Sequence, residues 1–256
     1  MLVEACVDSV ESARAAERGG AGRLELCDAL FDGGTTPSAG MIAACREGVS
    51  IPLFVIIRPR GGGFVYSEPE LDVMRRDVVA ARALGADGVV IGALRPDGTV
   101  HDEATRSLVD AAGDMSVSFH RAFDFAPDLG AALETLVACG VSRVLSSGGA
   151  ATAMTGVSTL ASLVRQAAGR IVVMAGGSVR EENVREIVDK AGVREVHVRL
   201  TRLTRGAGPP APAGVKVRKA LPDDEAAWEE TDEARVRSFV RVLTSGRSPR
   251  TVAGQP

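Results

Sequence analysis

The 256-residue chain lacks the features that mark several classes of protein. Its formal net charge is only -3, and no basic stretch interleaved with aromatic residues occurs, which argues against a nucleic-acid partner. No apolar run reaches the roughly 18 residues that would span a bilayer, so we expect no membrane partner. Met1 leads directly into Leu2, Val3 and Glu4. A basic segment followed by an apolar one does not occur there, so we expect no secretory signal.

The chain is also poor in cysteine. The four that occur are Cys6, Cys27, Cys45 and Cys139. None of them forms a C-x-x-C pair. Together with the missing signal, this usage favours a cytoplasmic protein whose thiols are reduced.

What the chain does contain is a regular alternation of short apolar segments and helical segments. Eight strands are predicted, over residues 2–6, 23–27, 53–58, 88–92, 115–120, 143–147, 171–175 and 194–198. Seven helices lie between them, at a spacing of roughly 25 residues, which predicts a single (β/α)8 TIM barrel of the α/β class. A doubly wound sheet is the alternative, but it would leave the eightfold alternation unexplained.

The barrel domain is predicted to cover residues 1–243, with a short C-terminal extension. Residues 206–214, rich in glycine, proline and alanine, are expected to form a loop after the last strand. A closing helix is expected over residues 231–243, capped by Thr231 or Asp232. Residues 244–256 are expected to be a disordered tail.

In a barrel, alternate residues of each strand face the lumen, and the others pack against the helices. Placing the apolar residues outward leaves a lumen rich in charge, with the inward positions Glu4, Cys6, Arg23, Glu25, Cys27, Arg58, Ser118, His120, Arg143, Glu195 and His197. We interpret Arg23, Glu25, Arg143 and Glu195 as a structural ion-pair network, because buried charges must be paired. The polar residues nearer the carboxyl ends of the strands are the better site candidates.

An anion-binding mouth is one hypothesis for these residues. Arg58 and Arg60 flank a proline and precede three glycines, and guanidinium groups beside glycine amides favour a carboxylate or phosphate. The alternative is that Arg58 pairs with a buried acid and the glycines only form a turn. Further backbone amides follow strands six and seven, at Ser147, Gly148, Gly176 and Gly177.

Two other hypotheses concern acid–base chemistry and metal binding. His120 and His197, from strands five and eight, could act as acid and base across a bound substrate, with Glu4 as a third titrating group; satisfied hydrogen bonds are the alternative. Cys6 and Cys27 lie on neighbouring strands, and two soft thiolates suit Cu(I). Cysteine is also often a small buried apolar residue.

Several motifs in this chain resemble those of the CutC family, which is named for copper homeostasis. The motifs are Glu4-Ala5-Cys6, Arg23-Leu24-Glu25-Leu26-Cys27, Gly33-Gly34-Thr35-Thr36-Pro37-Ser38, Ile57-Arg58-Pro59-Arg60-Gly61-Gly62, Phe119-His120-Arg121-Ala122-Phe123-Asp124, Arg143-Val144-Leu145-Ser146-Ser147-Gly148, Met174-Ala175-Gly176-Gly177 and Glu195-Val196-His197. They fall in the family's order over about residues 1 to 200.

The resemblance implies a cytoplasmic TIM barrel, usually a homodimer or larger homo-oligomer, linked to copper tolerance and Cu(I) binding. Cys6 and Cys27 match the cysteines proposed as copper ligands in animal members. The chain departs from the family after His197, where Val198 and Arg199 replace small residues. It also departs at Gly63, where an acidic or amide residue is common.

Two functions follow from these observations. The first is a copper homeostasis protein that binds or handles Cu(I), which depends mainly on the resemblance. The second is a TIM-barrel enzyme that acts on a small anionic metabolite, bearing phosphate or carboxylate, at the carboxyl mouth of the barrel. The arginines, acids and histidines of the predicted lumen favour this second function.

Overall fold

The computed structural model describes residues 1–207 and 226–245. Eight parallel strands close into a barrel in chain order, and the last strand pairs with the first. The barrel strands are β1 (Leu2–Val7), β2 (Arg23–Leu26), β3 (Leu53–Ile56), β4 (Gly88–Ile91), β5 (Ser116–Phe119), β6 (Arg143–Ser146), β7 (Val172–Ala175) and β8 (Glu195–Val198). The predicted TIM barrel is therefore confirmed.

Helices follow the strands around the outside of the barrel. They are α1 (Val10–Gly19), α2 (Ala39–Gly48), α3 (Glu68–Ala83), α4 (Asp102–Ala112), α5 (Leu129–Ala138), α6 (Val157–Ala167), α7 (Val184–Ala191) and α8 (Glu233–Thr244). Local chemistry sets their starts: Ser67 and Glu70 form a capping box at α3, which satisfies backbone amides that have no partner inside the helix. Of the described helices, none is long and apolar enough to cross a membrane.

The strand residues alternate as predicted between the helix layer and the lumen. Val3, Leu24, Phe119 and Val196 are buried in the large core between strands and helices. A separate apolar group lies inside the barrel, formed by Cys6, Cys27, Phe54, Ile56 and Val90. The inward assignment of both cysteines is therefore correct.

The chain after β8 differs from the prediction. A two-stranded antiparallel hairpin, β9 (Thr201–Arg205) with β10 (Ala227–Thr231), leads into α8. The Asp232 side chain accepts hydrogen bonds from two amides at the start of α8, so Asp232 rather than Thr231 is the cap. Most of the loop predicted over residues 206–214, and all but the first two residues of the tail predicted over 244–256, lie outside the described residues.

Some element boundaries also differ. The third strand ends at Ile56, before the predicted end at residue 58, because the Arg58 backbone amide bonds to the Thr36 side chain instead of continuing the ladder. The sixth helix begins at Val157, after a turn that Thr152 and Thr155 close with their own side chains.

Candidate metal centre

Two arginines and two glutamates close the amino-terminal end of the barrel, and we call this group the ionic floor. Arg23 donates from Nε to Glu4 at 2.5 Å and from Nη2 to Glu195 at 2.6 Å. Arg143 donates from Nε to the same Glu195 oxygen at 2.6 Å. Both guanidinium groups lie over the Phe54 ring. The ion-pair network predicted for Arg23, Arg143 and Glu195 is thus present, and it balances their buried charges.

Glu4 connects the ionic floor to His197. Its second oxygen lies 2.8 Å from His197 Nδ1. Burial alone would raise the pKa of Glu4, but the His197 hydrogen bond and the Arg23 charge together lower this pKa to about 2. Burial opposes the positive charge on His197, yet its contacts with Cys6, Glu25 and Glu4 raise its pKa well above the usual value. Glu4 and His197 therefore form a buried ion pair.

The two lumen cysteines lie above this pair and contact each other. Cys6 Sγ is 3.7 Å from Cys27 Sγ, and both residues are buried. The strand register explains the contact: Cys6 is opposite Glu25 on the neighbouring strand, and Cys27 is two residues further along on the same face. The hydrogen bond from Cys27 lowers the pKa of Cys6 to about 6, although burial opposes this. The same bond, with burial, raises the pKa of Cys27 well above its usual value.

Glu25 belongs with the cysteines rather than with the ionic floor, which corrects the role predicted for it. One of its oxygens and the two sulfurs all lie within 4.8 Å of one another. Its Oε2 is 3.7 Å from His197 Nε2, and in the part of the chain that the structure describes no arginine pairs with it. Burial raises the pKa of Glu25 to about 8, with the His197 charge acting in the opposite direction.

The two sulfurs and the Glu25 carboxylate form one buried group of metal donors, and Glu25 also belongs to a second group with Glu4 and the partly buried His197. Thiolates are ligands of choice for soft metal ions such as Cu(I). The donor set therefore fits a metal ion, and Cys6 and Cys27, the predicted ligands, lie at its centre. Cys45 and Cys139 are also buried, but they lie in the helical layer.

The arginines predicted to bind an anion are occupied by groups of the protein. Arg58 donates from Nη1 to the carbonyls of Asp32 and Gly34 and from Nη2 to that of Gly62. Its two terminal nitrogens hold two loops together, and its buried Nε has no hydrogen-bond partner among the described residues. An anion site at Arg58 therefore stays a prediction.

Arg60 is equally engaged, but at the surface. It forms an ion pair with Glu70 at 2.5 Å and donates to the carbonyls of Gly61, Gly63 and Val65. These bonds fix the glycine-rich loop against the start of α3. The glycines therefore form a turn that Arg60 braces, and a ligand-binding role of Arg60 stays a prediction.

The backbone amides after β6 donate hydrogen bonds to a carboxylate of the chain itself. Asp124 accepts hydrogen bonds from the amides of Ser147 and Gly149 and from the hydroxyls of Ser146 and Ser147. Arg121 pairs with the same carboxylate at 2.8 Å. The predicted anion-binding role of Ser147 is therefore already taken by Asp124.

The glycines predicted as further amide donors have other roles. The Gly148 amide donates to the Ser146 hydroxyl, and the Gly176 amide donates to the Ser146 carbonyl. The Gly177 carbonyl accepts from the Ala153 amide, and its φ of 99° suits only glycine well. The amides of Gly148 and Gly176 therefore have partners within the loops, and a ligand-binding role of the Gly177 amide stays a prediction.

His120 lies in a different chemical environment from His197. Its Nδ1 accepts from the Ala122 amide at 3.1 Å, and its ring packs 5.1 Å from that of Phe64. Burial, helped by the Arg58 charge, lowers the pKa of His120 to about 3, so its imidazole is neutral. His197, by contrast, is held by two carboxylates. The predicted acid–base pair of His120 and His197 with Glu4 finds no support in these contacts.

The sequence does not reveal the roles of two residues of structural importance. Glu25 was assigned to the wrong group, although its position two residues before Cys27 already placed both on one face of β2. Asp124 gave no such signal, because it approaches the β6 loop through a short helical turn, Arg121–Phe125.

Comparison with known proteins agrees with the fold and the motifs. The copper homeostasis protein cutC homolog of Mus musculus is 46% identical over 239 residues, covering 93% of this chain and 88% of that protein. A family protein CutC from Xylella fastidiosa is also 46% identical, over 246 residues, covering 96% of this chain and 90% of that protein.

Solved structures give the same relationship. The CutC protein of Streptococcus agalactiae superposes with a TM-score of 0.74 at 35% identity, covering 77% of this chain and 97% of that one. Phosphoribosylanthranilate isomerase from Thermotoga maritima, at 14% identity and a TM-score of 0.55, shares only the barrel fold. The model of the CutC family matches residues 1–201. With its barrel, its paired lumen cysteines and these relatives, the chain belongs to the CutC family.

Proposed function

We propose that this protein binds Cu(I) through Cys6 and Cys27 and serves copper homeostasis. The observation that carries the proposal is the contact of two buried sulfurs at 3.7 Å inside the barrel. Two thiolates in a pocket shielded from water suit a soft monovalent ion. The names of the relatives, which are copper homeostasis proteins, support the same role.

The lumen around the cysteines supports binding in a further way. Cys6 has a pKa of about 6, so one thiolate is available near neutral pH without a metal. The arginines of the ionic floor are already matched by Glu4 and Glu195. The charge of a bound Cu(I) ion would therefore be balanced mainly by the two sulfurs.

Competition for Cu(I) tests this proposal. Reduced protein is titrated with Cu(I) against a chromophoric chelator, with Cys6→Ser, Cys27→Ser and the double variant beside the parent. Cys139→Ser is the matched control, because Cys139 is buried and reduced but lies in the helical layer. We expect one tight site in the parent and control and none in the double variant. Equal affinity of parent and double variant would refute the proposal.

A catalytic function receives no comparable support. The arginines predicted to hold an anionic substrate are bonded to backbone carbonyls or to Glu70, and the amides after β6 hold Asp124. The cytoplasmic location and the homo-oligomeric assembly remain predictions. Size-exclusion chromatography with light scattering would measure the assembly directly.

A further inference from the structure

The part of the lumen around Cys6, Cys27, Glu25 and His197, which we call the pocket, contains more metal donors than a two-coordinate Cu(I) ion uses. Besides the two sulfurs, the Glu25 carboxylate lies in the same group of donors, and the His197 imidazole adjoins it, with Nε2 3.7 Å from Glu25 Oε2. We propose that Cys6, Cys27, Glu25 and His197 together bind a divalent ion of the Zn²⁺ class in tetrahedral coordination. The inference rests on the same two sulfurs as the proposed function, and it deepens that function by adding a second metal that competes for the pocket.

The separation of the two sulfurs is the first argument. With metal–sulfur bonds of ~2.3 Å, a tetrahedral ion needs its sulfurs ~3.8 Å apart, whereas a linear two-coordinate ion needs ~4.6 Å. Cys6 Sγ and Cys27 Sγ are 3.7 Å apart in buried positions on adjacent strands. The barrel therefore holds the sulfurs at a tetrahedral spacing, and a linear ion would require the strands or side chains to move.

Glu25 supplies the third donor. Its oxygen and both sulfurs lie within 4.8 Å of one another, close enough to converge on one ion after small side-chain rotations. Oxygen from a carboxylate is a common zinc ligand but a poor one for soft Cu(I). Glu25 is therefore the residue that would distinguish the two metals.

His197 supplies the fourth donor once the arriving metal displaces the proton on its Nε2 to solvent, and its orientation is already fixed. Its Nδ1 faces Glu4 Oε1 at 2.8 Å, which turns Nε2 toward Glu25. Glu4 is itself held by Arg23. A carboxylate behind a histidine is the usual outer arrangement of zinc sites, because it fixes the ring and strengthens the ligand.

The charge of the pocket also favours a divalent ion. In the deprotonated forms that bind a metal, Cys6, Cys27 and Glu25 carry three negative charges, and the arginines of the ionic floor are already matched by Glu4 and Glu195. A buried charge without a partner is costly. A bound divalent ion leaves one negative charge without a partner, and a bound monovalent ion leaves two.

Zinc and cobalt titrations test the proposal. Reduced, metal-free protein is titrated with Zn²⁺ against a chelator and, separately, with Co²⁺ while the visible spectrum is recorded. The parent and the Cys139→Ser control should show one site, intense d–d bands typical of tetrahedral Co²⁺, and sulfur-to-cobalt charge transfer. Glu25→Gln should weaken Zn²⁺ binding by ~10–100-fold while Cu(I) affinity stays unchanged.

A measurement on the parent alone guards against misfolded variants. X-ray absorption at the zinc edge should show two sulfur neighbours and two nitrogen or oxygen neighbours. Failure to bind Zn²⁺, or a zinc shell without nitrogen or oxygen from the protein, would overturn the inference even if Cu(I) binds. Binding of Zn²⁺ with this shell but not of Cu(I) would refute the proposed copper function and leave the inference standing. Equal loss of both metals in folded Glu25→Gln would also overturn the inference.

Discussion

Replacing Arg23 by methionine should destabilise the barrel strongly, because this arginine is the central cation of the ionic floor. Arg23 is only 3% exposed and pairs with Glu4, which is 1% exposed, and with Glu195. Methionine has a similar volume but no charge, so Arg23→Met leaves two buried carboxylates each short of a partner. Removing one member of a buried ion pair typically costs ~3–5 kcal/mol.

The expected loss lies at the low end of that range, because each carboxylate keeps a second partner. Glu4 retains His197, and Glu195 retains Arg143. We expect a loss of about 3 kcal/mol in the free energy of unfolding, which corresponds to a fall of ~6–12 °C in Tm for a protein of this size. Urea denaturation followed by circular dichroism measures the loss.

A surface ion pair provides the matched control. Arg76, in α3, pairs with Asp72 but is 78% exposed. Exposed pairs of this type contribute little because solvent screens them, so Arg76→Met should be nearly neutral. A loss below about 1 kcal/mol for Arg23→Met, or equal losses for the two variants, would refute the view that burial makes the ionic floor important.

The pH dependence gives a second check on the same variant. The folded pKa of Glu4 is lowered to about 2, so its ion pairs contribute stability above the usual carboxyl pKa, and this contribution is lost as pH falls toward 2. Arg23→Met removes part of that contribution. The difference in unfolding free energy between parent and variant should therefore narrow as pH is lowered from neutral through the acid range.

Three other predictions concern the pocket and its walls. Cys27→Ala removes the hydrogen bond that lowers the pKa of Cys6 to about 6, so the thiolate absorbance of Cys6 in an ultraviolet pH titration should appear at higher pH. An unchanged midpoint would contradict the view that Cys27 lowers the pKa of Cys6. Gly92→Ala would place a Cβ 2.2 Å from the His120 ring, and we expect a loss of ~1–3 kcal/mol in urea denaturation, whereas a neutral effect would show that the ring can move freely. The folded pKa of Glu25 is raised to about 8, so the native state binds more protons than the unfolded state between the usual carboxyl pKa and pH 8, and the free energy of unfolding falls as pH rises across that window. Glu25→Gln should flatten the curve of unfolding free energy against pH there. An unchanged slope would assign the titration to another group.

The features that follow from strand periodicity could be predicted from the sequence. Inward and outward positions alternate along each strand, so the sequence alone places Cys6, Cys27 and His197 in the lumen. The register between β1 and β2 then brings the two sulfurs together. Local pattern was sufficient here because the contacts are between adjacent, regular strands.

The features that depend on loops could not be predicted. Arg58 is followed by glycines that suggest an open anion site, yet its guanidinium reaches carbonyls at Asp32 and Gly34, in a loop some 24 residues earlier in the chain. Backbone carbonyls carry no residue-specific signal, so a sequence does not reveal which of them face an arginine. The same reason applies to Asp124 and the amides that it fills.

The ionic floor also affects how the barrel responds to temperature. Many barrels fill this layer with branched apolar side chains, whose stabilising contribution levels off as temperature rises. Arg23 and Arg143 with Glu4 and Glu195 occupy it here, bridging four strands: β1, β2, β6 and β8. Hydration of charged groups becomes less favourable on heating, so the penalty for keeping these four out of water shrinks. The amino-terminal end of this barrel should therefore lose less of its stabilising contribution near the melting temperature than the apolar layer at the same place in other barrels.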